Sequence, residues 1–351
     1  MSRDLVSVIV PAWNAEATLG ATLESVAAQT HTELEIIIVD DGSEDGTAQI
    51  AERFTNRDPR ARLIRQRNGG VASARNIAIA HARGTWIAPI DADDLWHPTK
   101  IAKQLDAVQS APVTSGFVYC WHRSLDADGN IVGSSARWPI SGSVMMRLSY
   151  LNFVGNGSSP LFLRDAVVAA GGYSEALRAN RAQGCEDLLL QLRIARQYPV
   201  LIVPEHLVGY RVRTGSMSRD VGQMVRSLDF THQLVAQDGE HAPPAVQRRA
   251  QAILYMWLGQ SAAAAGHWGT AIQALVRGAL IDPARGAVFG GYALSRVVAF
   301  ALRGGRRSDA GPPFLVVEPA EDLSSRLSIP LLVDRFDHHR LQQLKRSELP
   351  L

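Results

Sequence analysis

The chain has 351 residues, 46% of them hydrophobic and 20% charged, with a net charge of +2. That length asks for one large domain plus an appendage, and the composition excludes a disordered polymer. The near-neutral balance gives no electrostatic ground for nucleic acid as a partner. Cys120 and Cys185, the two cysteines, make neither a disulfide framework nor a zinc spacing, so a reducing, cytoplasmic setting is expected. The opening MSRDLVSVIV enters a strand without a cleavable signal. The nearest approach to a membrane span, GAVFGGYALSRVVAFAL, is broken by Arg296.

The elements alternate in chain order. LVSVIVPAW reads as a strand closed by proline, and Leu19, Leu23, Val26 and Ala27 recur at helical spacing after it. LEIIIVD is a second strand, apolar on both faces and therefore expected inside a parallel sheet. A helix follows through Ala48, Ala51 and Phe54, then a short strand in ARLIRQ. Residues Val71 to Arg83 predict a helix closed by Gly84 as a left-handed cap. TWIAPI is a fourth strand, and Pro98 can open a helix carrying Ile101, Leu105 and Val108. This alternation predicts an α/β doubly wound sheet, mixed but mostly parallel, with helices on both faces.

In such sheets ligands bind beyond the carboxyl ends of the strands. Pro11, Ala12, Trp13 and Asn14 end the first strand, Asp40 and Asp41 the second, and Asp91, Ala92, Asp93 and Asp94 the fourth. Asp40, Ser43 and Asp45 could serve only to cap the next helix, and DADD could be only a solvated turn. Three acids in four residues nevertheless repel one another unless a cation sits among them. Hard divalent cations take carboxylate oxygens, and magnesium shares them with substrate phosphates. GxGxxG and GxxxxGK[ST] loops are both absent, so a phosphate-bearing ligand would depend on the metal, which disfavours a dinucleotide oxidoreductase and a P-loop enzyme.

VSVIVPAWNAEATLGATLESVAAQT, EIIIVDDGSEDGT, NGGVASARNIAIAHARGTWIAPIDADDLW and the later CED stand in one order. That order resembles glycosyltransferase family 2, inverting enzymes of the GT-A fold, over roughly residues 5 to 215. The resemblance implies a metal-dependent transfer of one sugar from a nucleotide-diphosphate sugar, most simply a UDP-sugar, to a hydroxyl of a glycan or glycolipid. It implies that Pro11, Ala12, Trp13, Asn14 and Asp41 hold the base, with Arg75 and Asp91–Ala92 beside them. Asp93, with Asp91, would hold Mn2+ or Mg2+. Asp187, of the pair Glu186–Asp187, would be the general base, although both acids would also suit the first turn of a helix. Asn156, Gly157, Glu186, Arg211, Arg213 and Ser216 are acceptor or diphosphate candidates. The QxxRW of processive synthases is missing from LVGYRVRTGSMSRD. A sugar nucleotidyltransferase is a weaker alternative, because PAWNAEATLG has no lysine or arginine for a triphosphate. A non-catalytic protein on the same fold is the other, and the retained acids speak against it.

These readings predict a catalytic domain over 1–222, with a nucleotide half to 110 and an acceptor half to 222. A mainly helical region over 223–351 follows. Within it, Ile253 to Pro283 reads as two helices joined near Gly266 and His267, like one tetratricopeptide-type hairpin. One repeat cannot bury its own face, so these helices are expected against the parent domain, a second copy of the chain, or the inner face of a membrane. The tail from Gly311 carries no assignment.

Overall fold

The computed structural model describes residues 5–135, 137–212, 220–239, 242–264, 266–289, 311–319, 337 and 339–344. The strands are β1 (Val6–Ala12), β2 (Leu34–Asp40), β3 (Ala61–Arg65), β4 (Trp86–Pro89), β5 (Leu95–Trp96), β6 (Phe117–Leu125), β7 (Ile131–Ser134), β8 (Leu161–Leu163) and β9 (Val200–Arg211). The sheet runs β3-β2-β1-β4-β8-β6-β9-β5, with β7 on β6. The β3-β2-β1-β4 half is wholly parallel, whereas β8, β5 and β7 pair antiparallel with their neighbours.

Alternation along the strands explains the two-sided apolar runs. Val6, Val8 and Val10 of β1 face one core with Ile36 and Ile38, while Ile9 faces the other with Ile37 and Val39. The first core is closed by α1 (Leu19–Ala27), α2 (Thr47–Arg57) and α4 (Lys100–Gln109), through Leu23, Phe54 and Ile101 among others. The second is closed by α3 (Val71–His81), α5 (Met145–Tyr150), α6 (Arg164–Ala169) and α8 (Glu186–Ala195). A short α7 (Ala176–Ala179) lies between the last two. Helices on both faces of a mixed sheet agree with the expected fold class.

Two local expectations change. α3 stops at His81, and Gly84 is no left-handed cap. A Cβ at Gly84 would meet the Leu5 carbonyl oxygen at 2.6 Å and the Ser7 nitrogen at 2.7 Å, so close backbone approach requires the glycine. Ser43 does not cap α2; its Oγ accepts from the Asn14 nitrogen at 3.0 Å. Asp45 Oδ1 instead accepts from the Thr47 nitrogen at 3.0 Å.

The C-terminal helices are α9 (Val221–Gln237), α10 (Pro244–Ala264) and α11 (Trp268–Ile281). The expected hairpin is therefore α10 and α11. Val246, Ala250, Ile253 and Leu258 of α10 join the second core, so the hairpin packs on the parent domain. Residues 311–319 return to the sheet. Gly311 donates to the Ile131 carbonyl at 3.0 Å, and Phe314 is buried with Leu95, Leu125 and Ile131.

Candidate active site

The sheet order turns at β1 and β4. From β1 the chain steps outward to β2 and β3, then returns to place β4 on the other side of β1. Such a switch point opens a crevice at the carboxyl ends. Pro11–Ala12, Asp40–Asp41 and Asp91 all lie at that edge.

The β1 and β2 ends are stitched together. Asn14 has a φ of +46°, a left-handed conformation for a residue with a side chain. Its Oδ1 accepts from the Glu44 nitrogen at 2.9 Å, which ties the loop after β1 to the loop after β2. Trp13 beside it is 57% exposed, so it has no core role. Asp41 is buried, and its carboxylate accepts from Gln66 Nε2 at 2.6 Å, the Gly69 nitrogen at 2.7 Å and the Gly70 nitrogen at 2.8 Å. It thus fixes the loop that leads into α3.

The DADD loop is organised by Asp94, whose part was not legible in the sequence. Asp94 is fully buried; its Oδ2 accepts from Ser158 Oγ at 2.6 Å and its Oδ1 from the Arg211 nitrogen at 3.0 Å. Burial, then the charges of Asp93 and Asp91, push its carboxyl well above the ordinary aspartate value. Arg211 is buried too. Its Nε donates to the Asp93 carbonyl at 2.9 Å, and Nη1 to the carbonyls of Asp126 and Ala127. Its charge is therefore spent on backbone oxygens around the loop. Arg213 and Ser216 lie outside the described residues.

Asp91, Arg75 and Asp187 come together across 112 residues of sequence. Arg75, on α3, is buried, and its Nη2 contacts Asp91 Oδ1 at 2.5 Å. Its guanidinium lies over the Tyr173 ring, 4.9 Å from the centroid. Burial works against that cation, yet the charges of Asp91, Tyr173 and Asp187 hold its pKa above the ordinary arginine range. Gly157 closes against the same pair, since a Cβ there would meet Arg75 Nη2 at 2.8 Å and Asp91 Oδ2 at 3.5 Å. Asn156 Oδ1 accepts from the Ser158 nitrogen at 2.9 Å. Asn156 Nδ2 and the Tyr173 hydroxyl are buried without a protein hydrogen-bond partner.

The two acids at the start of α8 differ. Glu186 is buried and folds back, Oε2 accepting from the Gly184 nitrogen at 2.9 Å. Asp187 is only half-buried; its Oδ1 accepts from the Leu188 nitrogen at 2.8 Å. Burial raises the Asp187 carboxyl above its usual value, while the Arg75 charge opposes the rise. Glu186 is buried against the turn that precedes α8, while Asp187 binds a first-turn N–H of α8 with one oxygen and is the acid with access.

A divalent cation fits this donor set in one way. No cluster of three ligating side chains occurs among the described residues. Asp94 is committed to Ser158 and Arg211. Asp91 has a side chain 30% exposed, and Asp93 is half-buried next to it. One or two carboxylates suffice for magnesium or manganese when substrate phosphates and water complete the shell.

A family model described as Glycosyl transferase family 2 matches residues 7–167. The chondroitin synthase of Escherichia coli is 37% identical over 136 residues, 39% of this chain and 20% of that protein. A putative teichuronic acid biosynthesis glycosyltransferase of Bacillus subtilis is 42% identical over 105 residues, 30% of this chain and 42% of that one. The chain spans a fifth or less of the chondroitin synthases it matches. Among solved structures, a mannosyltransferase of Pyrobaculum calidifontis in complex with GDP-Man and Mn2+ superposes with a TM-score of 0.56 at 24% identity, over 86% of this chain and 81% of that one. S. aureus TarS residues 1–349, in complex with UDP-GlcNAc, gives 0.51 at 16%, over 79% and 91%. At these identities the two structures establish the fold.

Proposed function

We propose, from the premise that residues 7–167 make this chain a member of glycosyl transferase family 2, that it is an inverting glycosyltransferase. It moves one sugar from a nucleotide-diphosphate sugar to a hydroxyl of a glycan or glycolipid, with Asp187 as general base. The observation that carries this reading is the meeting of Asp91, Arg75 and Asp187 beside the β1/β4 crevice. It brings an accessible carboxylate near the strand-end acid Asp91, with a cation fixed beside Asp91.

In the proposed reaction the acceptor oxygen bonds to the anomeric carbon as the bond from that carbon to the diphosphate oxygen breaks. The acceptor proton passes to Asp187 Oδ2, the oxygen that Leu188 does not engage. Attack on the face opposite the leaving group inverts the anomeric centre, and no covalent sugar–enzyme intermediate is needed. Arg75 holds Asp91 toward the donor and steadies the charged form of Asp187. Asp93 and Asp91 are the residues that would hold Mn2+ or Mg2+, which when bound neutralises charge developing on the diphosphate. Trp13, exposed above Pro11 and Ala12, is a platform for the base or ribose, and Asp41 shapes the base pocket through Gly69 and Gly70. The partnerless donors Asn156 Nδ2 and Tyr173 hydroxyl favour a polar ligand here, because buried donors left unpaired are costly. A UDP-sugar is the first donor to test; of the neighbours, the mannosyltransferase is in complex with GDP-Man and TarS with UDP-GlcNAc.

The test is a pair of variants assayed for released nucleotide diphosphate and for donor affinity by calorimetry. Asp187→Asn keeps the oxygen that Leu188 uses but cannot take a proton, so kcat should drop by about 10² to 10⁴ with donor affinity nearly constant. Glu186→Gln should keep most of the turnover. Near wild-type kcat in Asp187→Asn would end the single-displacement reading.

A further inference from the structure

On α11, Trp268, Ile272, Val276 and Leu280 recur every fourth residue and are 64, 60, 51 and 75% exposed. The opposite side of this helix is well used: Ala271, Ala274 and Gly278 are buried, and Gly278 closes against Met256 of α10. The outward stripe therefore does not arise from a loosely placed helix. Soluble surfaces rarely line up four large apolar side chains without a partner.

The charges around the stripe point to what covers it. Arg277 stands exposed between Val276 and Leu280, and Arg248 and Arg249 are exposed on α10. Residues 241–308 contain eight arginines and one aspartate, with no lysine or glutamate, a balance of +7. Arg248, Arg249 and Arg277 are the exposed ones among the described residues, Arg285 is buried on Asp337, and the other four lie outside the described residues. That aspartate, Asp282, is buried and accepts from Arg340 Nη2 at 3.1 Å, so it presents no acid to the outside. A helix with a tryptophan and three aliphatics on one face, set in basic sequence whose single acid is buried, has the chemistry of an interfacial helix at an anionic bilayer.

A second copy of the chain fits less well. From Trp268 to Leu280 the stripe is about 18 Å long, and one helix face of that length offers roughly 200 Å², against about 800 Å² per partner in a stable protein interface. Self-pairing would also set the arginine-rich surfaces against each other. No helix among the described residues is long and apolar enough to cross a membrane, and a helix apolar on one face only lies on the surface of a bilayer.

We propose that the outer face of α11 is a docking surface for anionic lipid, seating the catalytic domain on a bilayer. The experiment mixes the full chain with phosphatidylcholine vesicles, with and without phosphatidylglycerol, and sediments them. Thermal melting and light-scattering mass are recorded for wild type and for an Ile272→Glu/Leu280→Glu double variant. The expected result is co-sedimentation that needs phosphatidylglycerol, weakens with salt, and drops by about tenfold or more in the double variant at unchanged Tm. Three results would overturn the proposal: no binding of wild type to anionic vesicles, binding indifferent to the double variant, or a dimer that the variant dissociates. A variant with lowered Tm would mean that the stripe is covered by the chain itself, and would overturn it as well. None of these readouts depends on the proposed activity.

Discussion

Arg75 reaches the site from the middle of α3, a helix whose other inward residues are alanines. Small neighbours leave room for one long cation to lie flat on Tyr173 and meet Asp91. Its charge also opposes the burial that raises Asp187. In the proposed role of general base Asp187 acts in its charged form, so turnover is lost as pH falls through its pKa. In Arg75→Gln, with the opposing charge gone, the acidic limb of the kcat–pH profile should move to higher pH, while Arg75→Lys should leave it close to wild type. An unmoved limb in Arg75→Gln would separate Arg75 from the base. Gly157 offers a second test. Gly157→Ala would push its methyl into the Arg75–Asp91 pair, and kcat/KM should drop by about tenfold to a hundredfold with Tm little changed. Gly157 was visible in the sequence as a residue of a glycine- and serine-rich loop. That it abuts Arg75 depends on a contact between residues 82 positions apart, which no local pattern encodes.

Short elements do much of the positioning. β5 is two residues long, yet it pairs antiparallel with the end of β9 and so brings Arg211 up to the DADD loop. Neither that pairing nor the buried carboxyl of Asp94 follows from periodicity, because two residues have no period. The longer elements were legible. α1, α2, β1 and β2 all fall where apolar spacing places them. The α10–α11 hairpin was legible for a different reason: its small residues mark the crossing. A Cβ at Gly278 would lie 2.9 Å from Met256 Cγ and 3.0 Å from the Ala252 carbonyl oxygen. Gly278→Leu should therefore spread the two helices at a cost of about 1–3 kcal/mol. Hydrogen exchange should show faster opening in α10 and α11 and unchanged protection in β1 and β2. Uniform protection across the hairpin would contradict this close packing.

Over the whole molecule, stability should depend on pH through His122, which sits on β6 near the centre of the mixed half. Burial, reinforced by His206, lowers its pKa to about 4, against about 6.5 in an unfolded chain. Between those values the unfolded chain takes up a proton that the folded one refuses, so stability is full above pH 6.5 and declines toward pH 4. The wild-type Tm should fall across that window, and His122→Asn should flatten part of the decline; an identical slope in the variant would remove His122 from the account. The sequence by itself determined the parallel half of the sheet, the acids at its carboxyl edge, the helical hairpin and the match of residues 7–167 to the glycosyl transferase family 2 model. Each of these is written in local periodicity or in short motifs of contiguous residues. Only the tertiary structure decided which acid of each cluster is buried on protein donors and which keeps access. Asp94 and Glu186 are sealed by donors from β9, residue 158 and residue 184, while Asp91 and Asp187 keep access. Neighbouring carboxylates are alike as letters, and what separates them is burial and the donors that distant segments bring to each.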